Sequence, residues 1–201
     1  MIPLLAMAIA YLLGAIPFGY LLVRLKTGGD VRAAGSGNIG ATNVLRTTGL
    51  AAGVATLLLD IAKGYLAVWA AGRMTENNPL WMSAAAVAVM AGHAYPVFLR
   101  FQGGKAVASF VGAFLCLTPV ALGAVLVVFV VAVAWTRFIS VGSIIGAATF
   151  PLAVWLLQEP PLAVLVAAFL AAILIIYKHS SNIRRLREGT EHAFRFGSGK
   201  P

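Results

Sequence analysis

Long apolar runs dominate the chain, and short polar stretches rich in glycine interrupt them. The first run opens at Met1-Ile2-Pro3-Leu4 and reaches about the 20 residues that a bilayer crossing needs. Others follow at about Leu50 to Ala71, Leu80 to Leu99, Ala106 to Leu117, Val120 to Trp135, Val141 to Leu157 and Leu162 to Tyr177. In hydrocarbon every backbone N–H and C=O must be satisfied within its own segment, so each run is predicted to be helical. The expected class is therefore all-α, a polytopic integral membrane protein. The first run has no basic leader, so it is read as a retained helix and not as a cleavable signal. A single transmembrane domain is expected over residues 1–196, with Gly197-Ser198-Gly199-Lys200-Pro201 as a tail outside it.

Length and charge disagree about the fourth run. A dozen residues at about 1.5 Å each cover ~18 Å of a core ~30 Å thick, which favours fusing it with the fifth across Thr118-Pro119. Fusion leaves the basic segment around Lys178, Arg184, Arg185 and Arg187 on the opposite side from Arg46 and Lys105. Seven separate helices with the N-terminus outside put Arg24, Lys26, Arg32, Arg46, Arg100, Lys105, Arg137 and the basic tail on one face, and Arg73 on the other. The positive-inside bias decides for seven transmembrane helices and a cytoplasmic C-terminus, with the fourth helix short.

Composition narrows the picture further. Hydrophobic residues make up 61%, charged residues 10%, and the mean hydropathy is +0.93, values that a soluble core of this size does not need. The net charge of +9 is explained by basic residues flanking apolar spans, so nucleic acid is excluded as a partner. Cys116, the only cysteine, lies in an apolar run and is read as an inert buried thiol.

On this topology the candidate chemistry falls on one face, in three segments. Gly35, Gly37 and Gly40 fit G-x-G-x-x-G but lack the strand that a dinucleotide site requires. Their local physics allows a nest of consecutive N–H groups for an anion, with Ser36, Asn38, Thr42 and Asn43 as side-chain donors; a plain turn capping the next helix is the other reading. Arg46 follows within a turn of Asn43 and can address the same phosphate. Gly103-Gly104-Lys105 fails the P-loop pattern, since Leu99 and Ala106 stand at its fixed positions, which leaves a cationic phosphate contact and disfavours ATP. The third segment, Lys178 to Arg185, holds His179, Asn182 and Arg184.

His93 and His179 are the imidazoles near these segments. Asp60 and Lys63, three apart in a span, face the bundle and neutralise each other. Ser143 either adds a hydroxyl to the inner face or caps its helix. The six acidic residues are scattered, so no metal site and no metal cofactor are expected. Val97, Ile183 and Phe196 stand where a His-x4-Asp acyltransferase carries aspartate.

The chain resembles the PlsY family of bacterial membrane glycerol-3-phosphate acyltransferases over nearly its full length. The resemblance rests on Gly35-Ser36-Gly37-Asn38-Ile39-Gly40-Ala41-Thr42-Asn43-Val44-Leu45-Arg46, on Gly92-His93-Ala94-Tyr95-Pro96 through Gly103-Gly104-Lys105, and on His179-Ser180-Ser181-Asn182-Ile183-Arg184-Arg185-Leu186 through Gly189-Thr190-Glu191, with Leu59-Asp60-Ile61-Ala62-Lys63-Gly64 as a fourth match. It implies acyl transfer from acyl phosphate to the 1-hydroxyl of glycerol 3-phosphate, giving lysophosphatidic acid and inorganic phosphate at the cytoplasmic side of the inner membrane. No cofactor and a monomer are implied, with membrane lipids as surroundings. On this reading Ser36, Arg46, Lys105, His179 and Asn182 are catalytic, and Gly35, Gly37, Asn38, Gly40, Thr42, Asn43, His93, Gly103, Gly104, Ser143 and Arg184 bind substrate phosphate. A transporter of a phosphorylated solute, or a lipid-binding structural subunit, are the rival classes; the outer face lacks the matching polar set that a permeation path needs.

Overall fold

The computed structural model describes residues 1–194, and among these no strand occurs. The predicted tail at 197–201 lies outside the described residues. Helices α1 (Ile2–Ala15) and α2 (Phe18–Thr27) correspond to the first apolar run. That run was expected to be one helix; it breaks at Ile16-Pro17. Pro17 has no N–H to donate and steers Ile16 to extended backbone, with ψ 114°. The carbonyl of Ile16 is taken instead by Lys63 Nζ at 2.8 Å.

The polar segment that follows carries a short helix, α3 (Ala41–Thr48), and leads into α4 (Leu50–Met74). A tight turn opens α5 (Pro79–Ala94), where the Asn78 side chain accepts from Leu80 N–H at 3.0 Å and Pro79 occupies the first helical turn. Then come α6 (Val107–Leu117), α7 (Pro119–Thr136), α8 (Ile139–Gln158), α9 (Leu162–Lys178) and α10 (Ser180–Arg187).

By length and apolarity five segments can cross a membrane: Ile2–Thr27, Leu50–Met74, Pro79–Leu99, Pro119–Thr136 and Ile139–Gln158. A sixth is added if α9 and α10, bent by 51° at His179, are taken together. Helix α10 carries Arg184, Arg185 and Arg187, so the apolar part ends at Lys178. The eleven-residue α6 is short of a bilayer by itself.

Packing has the signature of a helix bundle in lipid. More than half of the buried apolar positions are alanine, whereas Leu58, Leu66, Trp69, Val127, Val130, Trp155 and Ile173 face outward. Between helices in hydrocarbon there is no hydrophobic drive, so small residues that admit close backbone approach supply the attraction. Two reciprocal glycine pairs mark the tightest crossings. A Cβ at Gly14 would strike the Val89 carbonyl and one at Gly92 the Tyr11 carbonyl, joining α1 to α5; Gly64 and Gly112 stand in the same relation to Ser109 and Ile61, joining α4 to α6. Larger side chains meet where α6 and α8 face each other: Phe110 and Phe114 are tilted to one another and both meet Phe150 edge-on, with centroids 4.7 to 5.1 Å apart.

Candidate active site

The segment before α3 is organised by one side chain. Asn43 is 2% exposed, and its Nδ2 donates to the carbonyls of Val31, Ala34 and Asn38 at 2.9 to 3.2 Å, while its Oδ1 accepts from Ser36 N–H at 2.9 Å. Gly35 is required beside it: φ is +59°, and a Cβ there would land on Asn43 Oδ1. Asn38 Oδ1 accepts from Gly40 N–H at 2.7 Å and sets the entry to α3.

These bonds correct the expected anion nest. The N–H groups of Ser36, Gly37 and Gly40 are already engaged, to Asn43, Ala34 and Asn38 respectively. Ser36, Asn38, Gly40, Ala41, Thr42 and Arg46 border a cavity, and neither the Ser36 hydroxyl nor the Asn38 amide nitrogen has a partner among the described residues. Asn43 borders it too, but with its amide spent on backbone. Gly35 and Gly37 shape the loop and do not line the cavity.

The second segment turns on the end of α5. Gly104 N–H donates to the His93 carbonyl at 3.0 Å; a Cβ on Gly103 would meet that carbonyl and Pro96, and one on Gly104 would meet the His93 ring at Nε2. Gly103 and Gly104 thus allow the chain to lie on His93 and do not themselves line the cavity. Ala106, left-handed at φ +61°, then starts α6 and leaves Lys105 on the cavity wall. Burial pulls the Lys105 ammonium down to about 8, and Arg185, Arg46 and Lys178 add to the effect while Glu191 opposes it. No hydrogen bond or ion pair to Lys105 or Arg46 is found among the described residues, so two cations face the cavity without a direct counter-ion, Glu191 acting on Lys105 from a distance. Such a pair is an anion site in waiting.

His93, expected at the phosphates, borders the cavity but is 3% exposed, with the Nε2 edge of its ring against Gly104. Its Nδ1 lies 3.3 Å from Ser109 Oγ and 3.6 Å from Asp60 Oδ1, and Asp60 pairs with Lys63 at 2.7 Å. Serine, histidine and aspartate together invite a nucleophilic triad, but that arrangement needs the serine and the carboxylate on opposite ring nitrogens. Here both approach Nδ1.

The third segment comes from the end of α9 and from α10. His179 Nδ1 is 2.8 Å from the Ile175 carbonyl. A carbonyl only accepts, so Nδ1 carries the proton and Nε2 offers a lone pair. Burial, with Lys105 nearby, brings the His179 imidazole down to about 4, so it is neutral at physiological pH. Asn182 and Arg185, one turn apart, turn to the same carboxylate: Asn182 Nδ2 donates to Glu191 Oε1 at 2.6 Å and Arg185 Nε to Oε2 at 2.7 Å. Ser140 of α8 donates to the same Oε1 at 2.8 Å. Burial pushes the Glu191 carboxyl up, but hydrogen bonds from Asn182, Ser140 and Arg185 outweigh it and hold the group below the usual glutamate range. Asn182 Oδ1 is buried with no partner and remains open to a donor.

Arg184, expected at the phosphates, is exposed and does not line the cavity; helical phase gives that place to Arg185. Ser143 borders the cavity, yet its hydroxyl donates to the Ile139 carbonyl one turn back at 2.9 Å. The residues that sequence reasoning missed include Glu191, Arg185, Ser140 and His192, all of which border the cavity. A signal existed in Gly189. Left-handed at φ +68°, it ends α10 with Gly189 N–H to Leu186 and Thr190 N–H to Arg185, the double bond of a Schellman stop, and that reversal returns Glu191 to Asn182.

Ser36, Asn38, Thr42, Arg46, Lys105, His179, Asn182, Arg185 and Glu191 therefore meet around one cavity of about 570 Å³. Its polar end continues between helices: Leu50, Val54, Leu57 and Ile61 of α4 form one wall, Leu126 and Phe129 of α7 the other, and Val107 and Val111 of α6 the floor. Residues at the start of α6, midway along α7, at the start of α8 and at the end of α9 share it, so α6 leads away from the cavity and the α7–α8 junction returns to it. A cationic pocket opening into an apolar groove suits a molecule with a phosphate head and a hydrocarbon chain.

The family model for glycerol-3-phosphate acyltransferase matches residues 4–189. The glycerol-3-phosphate acyltransferase of Geobacter sulfurreducens is 49% identical over 188 residues, 94% of this chain and 95% of that one. The Geotalea daltonii enzyme of the same name is 45% identical over 186 residues, 92% and 94% of the two chains. Among solved structures, PlsY, an integral membrane glycerol 3-phosphate acyltransferase, superimposes in its glycerol 3-phosphate form with a TM-score of 0.91 at 37% identity, covering 96% of both chains. Its lysophosphatidic acid form gives 0.88 at 36% identity, covering 96% of this chain and 95% of that one. With motif, cavity and fold in agreement, the chain belongs to the PlsY family of integral membrane glycerol-3-phosphate acyltransferases.

Proposed function

We propose that this enzyme transfers an acyl group from acyl phosphate to the sn-1 hydroxyl of glycerol 3-phosphate, releasing lysophosphatidic acid and inorganic phosphate. The observation that carries the reading is the convergence of three distant polar segments on a cavity that runs on into an apolar groove. Crystal forms of PlsY with glycerol 3-phosphate and with lysophosphatidic acid support the acceptor and the product. The reaction is sited at the cytoplasmic surface of a bacterial inner membrane, in a single monomeric transmembrane domain. The chain crosses the bilayer seven times with its N-terminus outside. The outward course of α6, the return of α7 and the basic residues beside the cavity support that topology.

Both reactants bring phosphate. Lys105 and Arg46 supply fixed positive charge to them, and Ser36, Asn38 and Thr42 supply donors. Asn182, held by Glu191, presents its free Oδ1 to a substrate hydroxyl. The acceptor oxygen attacks the acyl carbonyl carbon, the carbon–oxygen bond to phosphate breaks, and the hydroxyl proton ends on the departing phosphate. An acyl phosphate is already activated, so no covalent enzyme intermediate is needed. His179 Nε2 accepts the hydroxyl proton's hydrogen bond and orients the oxygen. A bound dianion raises its basicity from the low value of the empty site, because opposite charge favours the protonated ring. Holding both reactants side by side supplies much of the rate.

Purified enzyme in lipid, given labelled glycerol 3-phosphate with acyl phosphate, acyl-CoA or acyl carrier protein in separate reactions, tests the donor. Lysophosphatidic acid is expected from acyl phosphate alone, acylated at position 1. Turnover from acyl-CoA and none from acyl phosphate refutes the reading.

A further inference from the structure

Beneath the Gly103–Lys105 turn lies a buried ionic cluster, of which Asp60 and His93 also border the cavity. Lys63, 4% exposed, is anchored to the Ile16 carbonyl at the α1–α2 break and to Asp60, 2% exposed. Asp60 Oδ1 faces His93 Nδ1, and Ser109 of α6 approaches the same nitrogen. The other edge of the ring, at Nε2, lies under Gly104, whose N–H is tied to the carbonyl of that same histidine. Four elements thus converge below the residue that precedes Lys105.

We infer that Asp60 and His93 are positioning residues for Lys105: through the His93 ring and carbonyl they fix the Gly103–Gly104 turn and so aim the lysine Nζ into the cavity. Three observations carry this. Gly104 is held from two sides by one residue, a restraint on the turn that bulk packing does not give. The ring that provides it is oriented by polar groups on its far edge, as imidazoles that must keep one orientation are. And a buried ion pair is a poor adhesive: taking both charges out of water is costly, and apolar side chains of similar volume commonly do as well or better. A flexible lysine stem has many rotamers to lose, so a rigid base beneath it matters for an electrostatic contact. The inference rests on Lys105 being a phosphate contact.

Two variants of the full-length protein in lipid nanodiscs test it. Asp60→Asn combined with Lys63→Met removes both charges and leaves neither orphaned. His93→Asn keeps a polar group at the Nδ1 side and deletes the edge under Gly104. Folding is read from the melting temperature, catalysis from kcat and KM with acyl phosphate, and the position of Lys105 from its labelling by a small amine reagent as a function of pH, quantified by mass spectrometry. Wild-type Lys105 is expected to label with a midpoint near 8, given its burial and its neighbours Arg46, Lys178, Arg185 and Glu191, none of which the variants touch. In each folded variant kcat falls tenfold or more with a smaller change in KM, and the Lys105 midpoint climbs toward that of an ordinary lysine as the amine swings into water. An unshifted midpoint in folded variants overturns the inference, whatever kcat does. If the double variant does not fold, His93→Asn decides alone. Should Lys105→Ala keep full turnover, it is the phosphate reading of Lys105 that fails, and labelling still reports whether the cluster holds the side chain.

Discussion

Two parts of the cavity wall solve one problem by different chemistry. Residues 31–48 are gathered by Asn43, a neutral amide whose bonds all go to backbone groups. Residues 180–191 are gathered by Glu191, a carboxylate whose bonds go to the side chains of Ser140, Asn182 and Arg185. The first arrangement fixes the path of the chain and leaves Ser36, Asn38 and Arg46 bordering the cavity. The second fixes side chains of the wall itself and puts a negative charge near Lys105. A backbone clamp is indifferent to pH and salt, whereas a charged one sets local electrostatics and can be titrated.

Neither clamp is expected to matter as much as the cation between them. On the proposed reading Lys105→Ala removes a charge that stabilises substrate phosphate, and turnover is expected to fall by about 10²–10³-fold with the protein still folded. Arg46→Ala, more exposed, loses less and mainly raises KM for glycerol 3-phosphate. Steady-state kinetics beside a melting curve distinguish these outcomes from collapse. Wild-type turnover in Lys105→Ala removes the comparison's centre.

The clamps themselves separate next. Asn43→Ala orphans several buried backbone groups, each worth about 1–3 kcal/mol when left unsatisfied, so the dominant effect is a lower melting temperature. Glu191→Gln keeps one oxygen for Ser140 and Asn182 but turns an amide toward Arg185. The loss of a charged hydrogen bond, about 1.5–3 kcal/mol, is expected to appear as a drop of roughly tenfold or more in kcat/KM with a smaller melting shift. Equal thermal and kinetic damage in both variants erases the distinction between fixing the chain and fixing the wall.

The same contrast marks what the sequence made legible. Apolar runs predict the helical segments closely, because hydropathy is a local property that survives folding. Residues with no backbone duty, such as Lys105 and Arg46, could be picked out as phosphate candidates by charge alone. The glycine stretch was misread at the level of single bonds: nothing in Gly35 to Gly40 says that Asn43, several residues on, will consume the N–H of Ser36. Arg184 and Arg185 differ by one helical step, about 100°, and only the docking of α10 decides between them. Glu191 stayed hidden because its partners lie on α8 and α10, and its approach to them depends on the reversal at Gly189. Length alone does not place α6, since its eleven residues are short of a bilayer yet form a helix separate from α7.

Titration sharpens the comparison further. The Glu191 carboxyl lies below its unfolded value of 4.5. Its stabilisation is therefore present above about pH 4.5 and lost as pH falls through the lower folded value. Hydrogen exchange across 180–191, corrected for intrinsic rates, should accelerate in that acid window while 34–48 does not follow. Lys105 works in the opposite sense. Its folded value of about 8 lies below the usual 10.5, so the charged form is disfavoured and loses its proton as pH rises through 8. The kcat/KM profile, which reports the free enzyme, should bend downward near pH 8. The kcat profile should bend later, because bound phosphate holds the ammonium in its charged form. A single limb at one pH in both profiles argues against Lys105 as their source.

The smallest effect is also the finest discriminator. Ser140 and Ser143 sit one turn apart on α8, both border the cavity and both are 6% exposed. Ser140 spends its proton on Glu191, whereas Ser143 spends its own on the Ile139 carbonyl of its helix. That carbonyl can keep its ordinary helical partner when the hydroxyl is gone, so Ser143→Ala is expected to change stability by no more than about 0.5 kcal/mol and turnover by less than twofold. Ser140→Ala withdraws one of three donors from a buried carboxylate, and a penalty of about 1 kcal/mol, several-fold in kcat/KM, is expected together with an upward shift of the acid limb in hydrogen exchange at 180–191. The reverse ranking would mean that the Ser143 hydroxyl turns from its helix to substrate when the cavity fills, and the wall gathered by Glu191 would then extend one helical turn deeper along α8.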